Sequence, residues 1–83
     1  MKKIIISSAL LTLFACNEKK IAATEVPAPV TAAFAAKYPN SSDVKWEQEK
    51  KDDGKWIYEA EFKTNGKEIE AEFDSTGNFI KEE

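Results

Sequence analysis

The chain of 83 residues contains no histidine, no arginine and a single cysteine, Cys16. Without histidine, and with one thiol, it lacks the usual base for a nucleophile and the nitrogen and sulfur ligands of most zinc sites. One cysteine cannot form an internal disulfide, so the fold must depend on packing. An acidic chain without arginine is also poorly equipped to hold phosphate or nucleic acid. We therefore predict no catalysis, no cofactor, no metal site and no nucleic-acid partner.

Long hydrophobic runs are scarce, and the one at the N-terminus is too short to cross a bilayer. Lys2 and Lys3 precede the apolar run 4–14 and the small residue Ala15, whereas a spanning helix needs about 20 apolar residues. A basic start, a short apolar stretch and a small residue are typical of a secretory signal. A buried core helix is the alternative, which the two lysines beside a free N-terminus disfavour. We interpret residues 1–15 as a signal peptide.

Cys16 stands directly after this segment. The sequence Leu13-Phe14-Ala15-Cys16 resembles the lipobox of bacterial lipoproteins, in which the cysteine thiol is acylated and the chain is cut just before it. Lipidation accounts for a lone cysteine in a secreted chain, and two or three acyl chains anchor a protein stably. Plain secretion with a single structural or reactive thiol is the alternative. We predict lipid attachment at Cys16 and a location in the bacterial cell envelope, as a periplasmic or outer-membrane lipoprotein.

Removal of residues 1–15 takes away two of the 12 basic residues and none of the 15 acidic ones, so the net charge falls from −3 to −5. Residues 16–26 are short and mostly polar, and we interpret them as the lipidated cysteine and a tether. Residues 27–83 are enough for one small domain.

Residues 27–37, with the sequence PAPVTAAFAAK, predict a helix. Prolines are tolerated in a first turn, and alanine dominates the rest. Val30, Phe34 and Tyr38 recur every four residues as one apolar stripe. Pro39 ends the helix, because the residue before a proline is pushed out of the helical region.

After the helix the hydrophobic period changes to two, which indicates strands. Asn65-Gly66 is typical of a two-residue type I′ hairpin turn. Such a turn sets three apolar pairs on one face of the sheet, namely Phe62 with Ile69, Ala60 with Ala71, and Tyr58 with Phe73. The sequence therefore predicts an α+β fold in which one helix packs on a four-stranded antiparallel meander sheet.

The predicted core is small and aromatic. It consists of Phe34, Tyr38, Trp46, Trp56, Tyr58, Phe62 and Phe73. Both tryptophans fall in phase with the apolar face, so we assign them to the core rather than to a ligand platform. The sequence allows two registers for the last strand. A three-residue loop 75–77 places Phe79 beside Phe73, whereas a two-residue loop 76–77 places Ile80 there. Asp74 before the turn and Gly77 at its end favour the first slightly.

Several short stretches occur in a characteristic order along the domain. They are Val26-Pro27 before an alanine-rich helix, Lys37-Tyr38-Pro39, Asp43-Val44-Lys45-Trp46, Trp56-Ile57-Tyr58-Glu59, Asn65-Gly66-Lys67-Glu68, and Phe73-Asp74 running into Gly77. In this order they resemble the PepSY-like domains of the beta-lactamase-inhibitor-like group, over nearly the whole predicted domain. The resemblance implies a small extracytoplasmic module that binds or inhibits other proteins and has no catalytic residues. The inhibitor that names the group has two tandem units, whereas this chain has one.

The predicted register also places acidic residues opposite one another. Glu61 faces Glu70 and Glu59 faces Glu72, and like charges directly opposite destabilise a sheet. We name these four glutamates, together with Ile57 among them, the acidic face, and we treat it as the candidate binding face for a basic partner surface. The alternative is a solvated surface that discourages aggregation.

Two further expectations concern these charges. Lys45 on the neighbouring strand and Lys63 opposite Glu68 should soften the repulsion between the glutamates. Because the glutamates alternate with core positions, we expect them to face water and to titrate normally.

The loop that begins at Asp74 resembles a calcium loop only in its first residues, and we interpret it as a plain turn.

The function predicted from these features is a lipid-anchored extracytoplasmic module, of the inhibitor-like kind, that binds an unknown protein or peptide without catalysis. The partner would bind the exposed sheet face or an edge strand, and the lipid anchor alone would hold the protein to the membrane. The alternative is a structural envelope lipoprotein whose acidic surface is only solvated.

Overall fold

A computed structural model describes residues 18–83 of the chain. The predicted signal peptide and Cys16 lie outside these residues. Five antiparallel strands follow one another in sequence order across one sheet, which carries one α-helix. The elements are β1 (Glu18–Ile21), a 3₁₀ turn (Ala23–Glu25), α1 (Ala28–Lys37), β2 (Ser42–Lys50), β3 (Trp56–Thr64), β4 (Lys67–Asp74) and β5 (Phe79–Glu82). The α+β class is confirmed, and the predicted number of four strands is one too few.

The additional strand comes from the segment that we expected to be a tether. β1 pairs with β2, and Ile21 lies opposite Trp46 and packs against the core. After β1 the chain turns into the 3₁₀ segment, where the Glu25 carboxylate accepts a hydrogen bond of 2.8 Å from the Ala22 N–H. Four residues with one apolar member carry too little periodicity to indicate a strand, so only the pairing with β2 reveals it.

The helix has the predicted extent. Pro27 caps it at the start, and the Tyr38 N–H closes it with a hydrogen bond of 2.8 Å to the Phe34 carbonyl oxygen. Val30 and Phe34 are buried and Tyr38 is half-buried, so the predicted stripe faces the sheet. The Tyr38 hydroxyl also donates a hydrogen bond of 2.5 Å to Glu82 Oε1, which ties the end of the helix to β5.

The hairpin between β3 and β4 has the predicted register. The three apolar pairs given above are all present, and Asn65 and Gly66 have φ of 54° and 76°, as a type I′ turn requires. Phe34 packs edge-on to Trp46 and Phe62, with ring centroids 5.3 and 5.0 Å apart. The core therefore lies between the helix and the middle of β2, β3 and β4.

Trp56, which we predicted for the core, is exposed, and so is Val44 on β2. Trp56 is 37% exposed, because a helix of ten residues extends about 15 Å whereas a strand of nine residues extends about 30 Å. The helix leaves the first residue of β3 uncovered. Val44 is also exposed, since a bulge interrupts the pairing of β2 with β3 between Ser42 and Lys45. Asp43 within the bulge has φ of 53°, which shifts the alternation of side chains.

The last turn has the three-residue form. The Asp74 N–H donates to the Asn78 carbonyl oxygen at 2.9 Å, and the Gly77 N–H donates to the Asp74 carbonyl oxygen at 3.0 Å. Phe79 consequently lies beside Phe73, with ring centroids 5.8 Å apart. Phe79 still remains largely exposed, so it covers the margin of the core rather than entering it.

Candidate functional site

The acidic face lies on the side of the sheet opposite to the helix. The structure confirms that Glu59 pairs with Glu72 and Glu61 with Glu70. Both pairs belong to longer rows across the sheet. One row runs Lys20, Glu47, Glu59, Glu72, Lys81, and the other runs Lys45, Glu61, Glu70. The first row thus has three carboxylates between two lysines on the outer strands, and the second row has two carboxylates beside a lysine on β2.

The predicted lysine neighbours are in place. Lys45 lies opposite Glu61, and Lys63 lies opposite Glu68. Neither lysine is within salt-bridge distance of an acid in the described part of the chain, where ion pairs of 4 Å or less join Lys51 to Glu49 and Lys81 to Glu83. The lysines therefore reduce the negative potential of the acidic face at long range without neutralising any one carboxylate.

Glu59 lies at the centre of this charge distribution. Burial, together with the charges of neighbouring carboxylates, raises the pKa of Glu59 to about 9. Its carboxyl group donates a hydrogen bond to Glu70, and Glu70, Glu18 and Glu47 all disfavour its ionised form. At neutral pH Glu59 is therefore the carboxyl group of the acidic face that holds a proton.

The neighbours of Glu59 shift in the same direction. Burial raises the pKa of Glu18, Glu61 and Glu72, and nearby carboxylates add to the effect in each case. For Glu72, Lys81 and Lys51 partly oppose the increase. The prediction that these glutamates titrate normally is therefore wrong. Alternation correctly places them away from the core, but side chains packed along a row of like charge remove water from one another.

Ile57 belongs to the acidic face by register but offers little surface. It lies opposite Glu49 and Asp74 and is only 9% exposed. The face presented to solvent is therefore polar and anionic, without an apolar centre.

Glu18 and Glu47 adjoin the acidic face, and sequence reasoning missed both as members of this surface. One oxygen from each, together with one from Glu59, lies within 4.8 Å of the other two. Calcium takes six to eight oxygen ligands, and a cluster of three carboxylates does not by itself define a metal site. Glu18 escaped notice because its segment was interpreted as a tether, and only the strand pairing brings it beside Glu59.

An open groove of about 370 Å³ borders the acidic face at the bulge of β2. Its walls are Asp43, Val44, Lys45, Glu61, Phe62, Lys63 and Glu68. The charges along it are mixed, and Phe62 is almost fully buried beneath it. The groove therefore adds a strip of both charge signs to one end of an otherwise anionic surface.

In the loop that begins at Asp74, the Asp74 carboxylate accepts hydrogen bonds from other residues of the same loop. Hydrogen bonds from the Asn78 N–H and from Thr76 lower the pKa of Asp74 to about 2. The two backbone donors lie 3.0 and 2.9 Å from Asp74 Oδ1, and the Thr76 hydroxyl lies 2.8 Å away. This carboxylate stabilises the turn, as expected of a plain turn.

Comparison of the chain with family models, with curated proteins and with solved structures finds no match. Within residues 18–83, no helix combines the length and the apolar character that crossing a bilayer requires. Functional inference therefore depends on the geometry of the acidic face and on the sequence features at the N-terminus.

Proposed function

We propose that the protein is a lipid-anchored module of the bacterial cell envelope that binds a protein or peptide through its acidic face, without catalysis. The observation that carries this proposal is the set of glutamates on a sheet face that no element within residues 18–83 covers, Glu59 with Glu72 and Glu61 with Glu70. Glu61 and Glu70 set like charges directly opposite one another, which costs stability, and Glu59 beside Glu72 avoids that cost by holding a proton. A surface that keeps them in spite of this cost is well suited to a partner of opposite charge.

The N-terminal features support the location and anchor. Lys2 and Lys3, the apolar run 4–14 and the lipobox-like end at Cys16 are arranged as in a lipoprotein precursor. The resemblance of the domain to PepSY-like modules supports an extracytoplasmic binding role. A basic partner surface fits both the net charge of the mature chain and the distribution of its carboxylates.

Cross-linking followed by affinity capture from intact envelopes tests this proposal. The variant that changes the acidic face combines Glu70→Lys with Glu72→Gln, because Lys45 lies opposite Glu61 and a lysine at position 61 would face it directly. We expect this variant to fold and to lose the partner. The matched control combines Asp52→Lys with Asp53→Asn in the β2–β3 turn, which changes the net charge equally, and it should keep the partner.

Recovery of the same partners by the native chain and by the Glu70→Lys/Glu72→Gln variant contradicts the binding role of the acidic face. The surface is then a solvated face of a structural lipoprotein, or the partner binds elsewhere on the domain. Loss of partners from both variants alike shows that net charge, and not the acidic face, controls capture.

A further inference from the structure

Trp56 is one of four large apolar side chains that remain exposed within residues 18–83. It lies on the sheet face that carries the helix, yet it does not belong to the core cluster. Lys50 lies beside it, with Nζ 5.8 Å from the centre of the indole ring. The ring therefore stands at one end of the sheet, beyond the helix, with a lysine beside it.

The same end of the sheet carries the start of β1. Glu18 pairs with Glu49, and Lys50 pairs with Trp56, so the two pairs are adjacent along β2. β1 and β3 are two strand spacings apart, about 10 Å. Cys16 precedes Glu18 by two residues, a span of at most about 7 Å. An acyl group on Cys16 is thereby restricted to the end of the molecule where Trp56 is exposed.

Charge at this end is close to balanced. The β2–β3 turn carries Lys51 and Lys55 together with Asp52 and Asp53. Lys51 pairs with Glu49 at 3.6 Å, and Asp53 accepts a hydrogen bond of 2.9 Å from the Lys55 N–H. An anionic lipid surface would gain little from this turn as a whole. The ring of Trp56 is different, because an indole with an apolar body and a polar N–H favours the layer of lipid headgroups.

We propose that Trp56, with the β2–β3 turn around it, forms a second contact with the membrane surface beside the lipid anchor. The inference rests on the proposed acylation of Cys16. With two contacts at one end, the strands extend away from the bilayer and the Asn65-Gly66 turn lies at the far end. The acidic face then points sideways, where a partner in the envelope can reach it.

Fluorescence quenching in vesicles tests the contact. The acylated mature chain is reconstituted in vesicles of phosphatidylethanolamine and phosphatidylglycerol with brominated acyl chains, which quench nearby tryptophans. The chain has two tryptophans, and Trp46 is buried opposite Ala60, four residues and about 13 Å along β3 from Trp56. We expect loss of the Trp56 emission, about half of the total, and little change in that of Trp46.

Two variants serve as controls. Trp56→Phe keeps an aromatic ring and leaves Trp46 as the reporter, so quenching should disappear. Trp56→Phe combined with Lys67→Trp moves the reporter to an exposed position opposite Thr64, eight residues and about 26 Å along the sheet. This double variant should also be unquenched, although its reporter is at least as accessible to solvent.

The outcomes separate this inference from the proposal on which it rests. If mass spectrometry shows acyl chains and the native chain is quenched no more than the double variant, the membrane contact of Trp56 is wrong while the anchor stands. A mature chain without acyl mass contradicts the anchor, and with it the orientation inferred here.

Discussion

Gly77 lies in the last turn of the sheet, where it packs against the beginning of the helix at Pro29. It has φ of +93°, and a Cβ atom at this position would lie 2.6 Å from the Pro29 carbonyl oxygen. A positive φ alone disfavours any side chain. Here the backbone of α1 also fills the space, so a side chain can be accepted only if the helix start moves away from the turn.

Gly77→Ala should therefore destabilise the domain more than Gly54→Ala does. Gly54 has a similar φ of +86° but nothing within 4 Å of the added Cβ. The control should lose about 1 kcal/mol from its backbone conformation alone. We expect the free energy of unfolding of Gly77→Ala to be lower by at least about 1 kcal/mol more. Urea denaturation measures both, and equal losses would contradict the close contact with Pro29.

The two tryptophans allow a second comparison between single residues. Trp46 is buried against Phe34, whereas Trp56 is exposed and contacts Lys50. We expect Trp46→Ala to lower the free energy of unfolding by about 3–5 kcal/mol. Trp56→Ala should lower it by less than about 1 kcal/mol. Thermal or urea unfolding distinguishes the two variants. A large loss of stability in Trp56→Ala would contradict the exposed position of Trp56.

At the level of elements, the β3–β4 hairpin could be predicted because two independent signals agree. The Asn65-Gly66 turn sets a register, and the same register pairs apolar with apolar residues. β1 could not be predicted, since the sequence EKKI carries one apolar residue and acquires its conformation from β2. Trp56 was misplaced because alternation identifies a face but not how far a short helix covers it.

The candidate site was predictable in position but not in chemistry. Register alone brought Glu59 opposite Glu72 and Glu61 opposite Glu70, and the structure confirms both pairs. The raised pKa of Glu59 depends in part on the charges of Glu47 on β2 and of Glu18 on β1, which no local pattern of the sequence relates to Glu59. Long-range pairing, rather than residue type, determines the electrostatics of this surface.

The raised pKa of Glu59 has a consequence for the sheet as a whole. The folded state binds the Glu59 proton more tightly than the unfolded state does, with a pKa of about 9 against the ordinary glutamate pKa of 4.5. Stability is therefore fully present below the unfolded pKa and declines as the pH rises between these two values. We expect the melting temperature to fall steadily from about pH 5 to pH 9.

Glu59→Gln removes the titrating group while keeping a hydrogen-bond donor on the side chain. This variant should melt at a higher temperature than the native chain at pH 8 and should show a flatter dependence on pH. Asp52→Asn, at the exposed tip of the β2–β3 turn, is the control and should leave the dependence unchanged. Native pH dependence in Glu59→Gln would contradict the role assigned to this carboxyl group.

For the whole molecule, the short stretch of sequence between Cys16 and β1 limits what the proposed lipid anchor at Cys16 would allow. The predicted tether of residues 17–26 would allow the domain to move freely above the membrane, whereas β1 begins only two residues after Cys16. We expect Cys16→Ser to give an uncut precursor without acyl groups, since no other residue can accept them. Mass spectrometry of the purified protein checks this, and a native chain that begins at Cys16 without acyl mass contradicts the lipoprotein hypothesis.

The charge of the acidic face affects folding and binding in different ways. In Glu70→Lys/Glu72→Gln, the row Lys45, Glu61, position 70 alternates in sign, so the repulsion between positions 61 and 70 becomes an attraction. The free energy of unfolding should stay equal or rise by about 0.2–1 kcal/mol for this relieved pair. A basic partner should nevertheless bind this variant more weakly and with less dependence on salt, because fewer opposite charges meet across the interface.

Unfolding measured beside salt-dependent binding separates the two effects. A variant that is more stable yet binds as tightly as the native chain at every salt concentration would place the partner on another surface, such as the unpaired edge of β5.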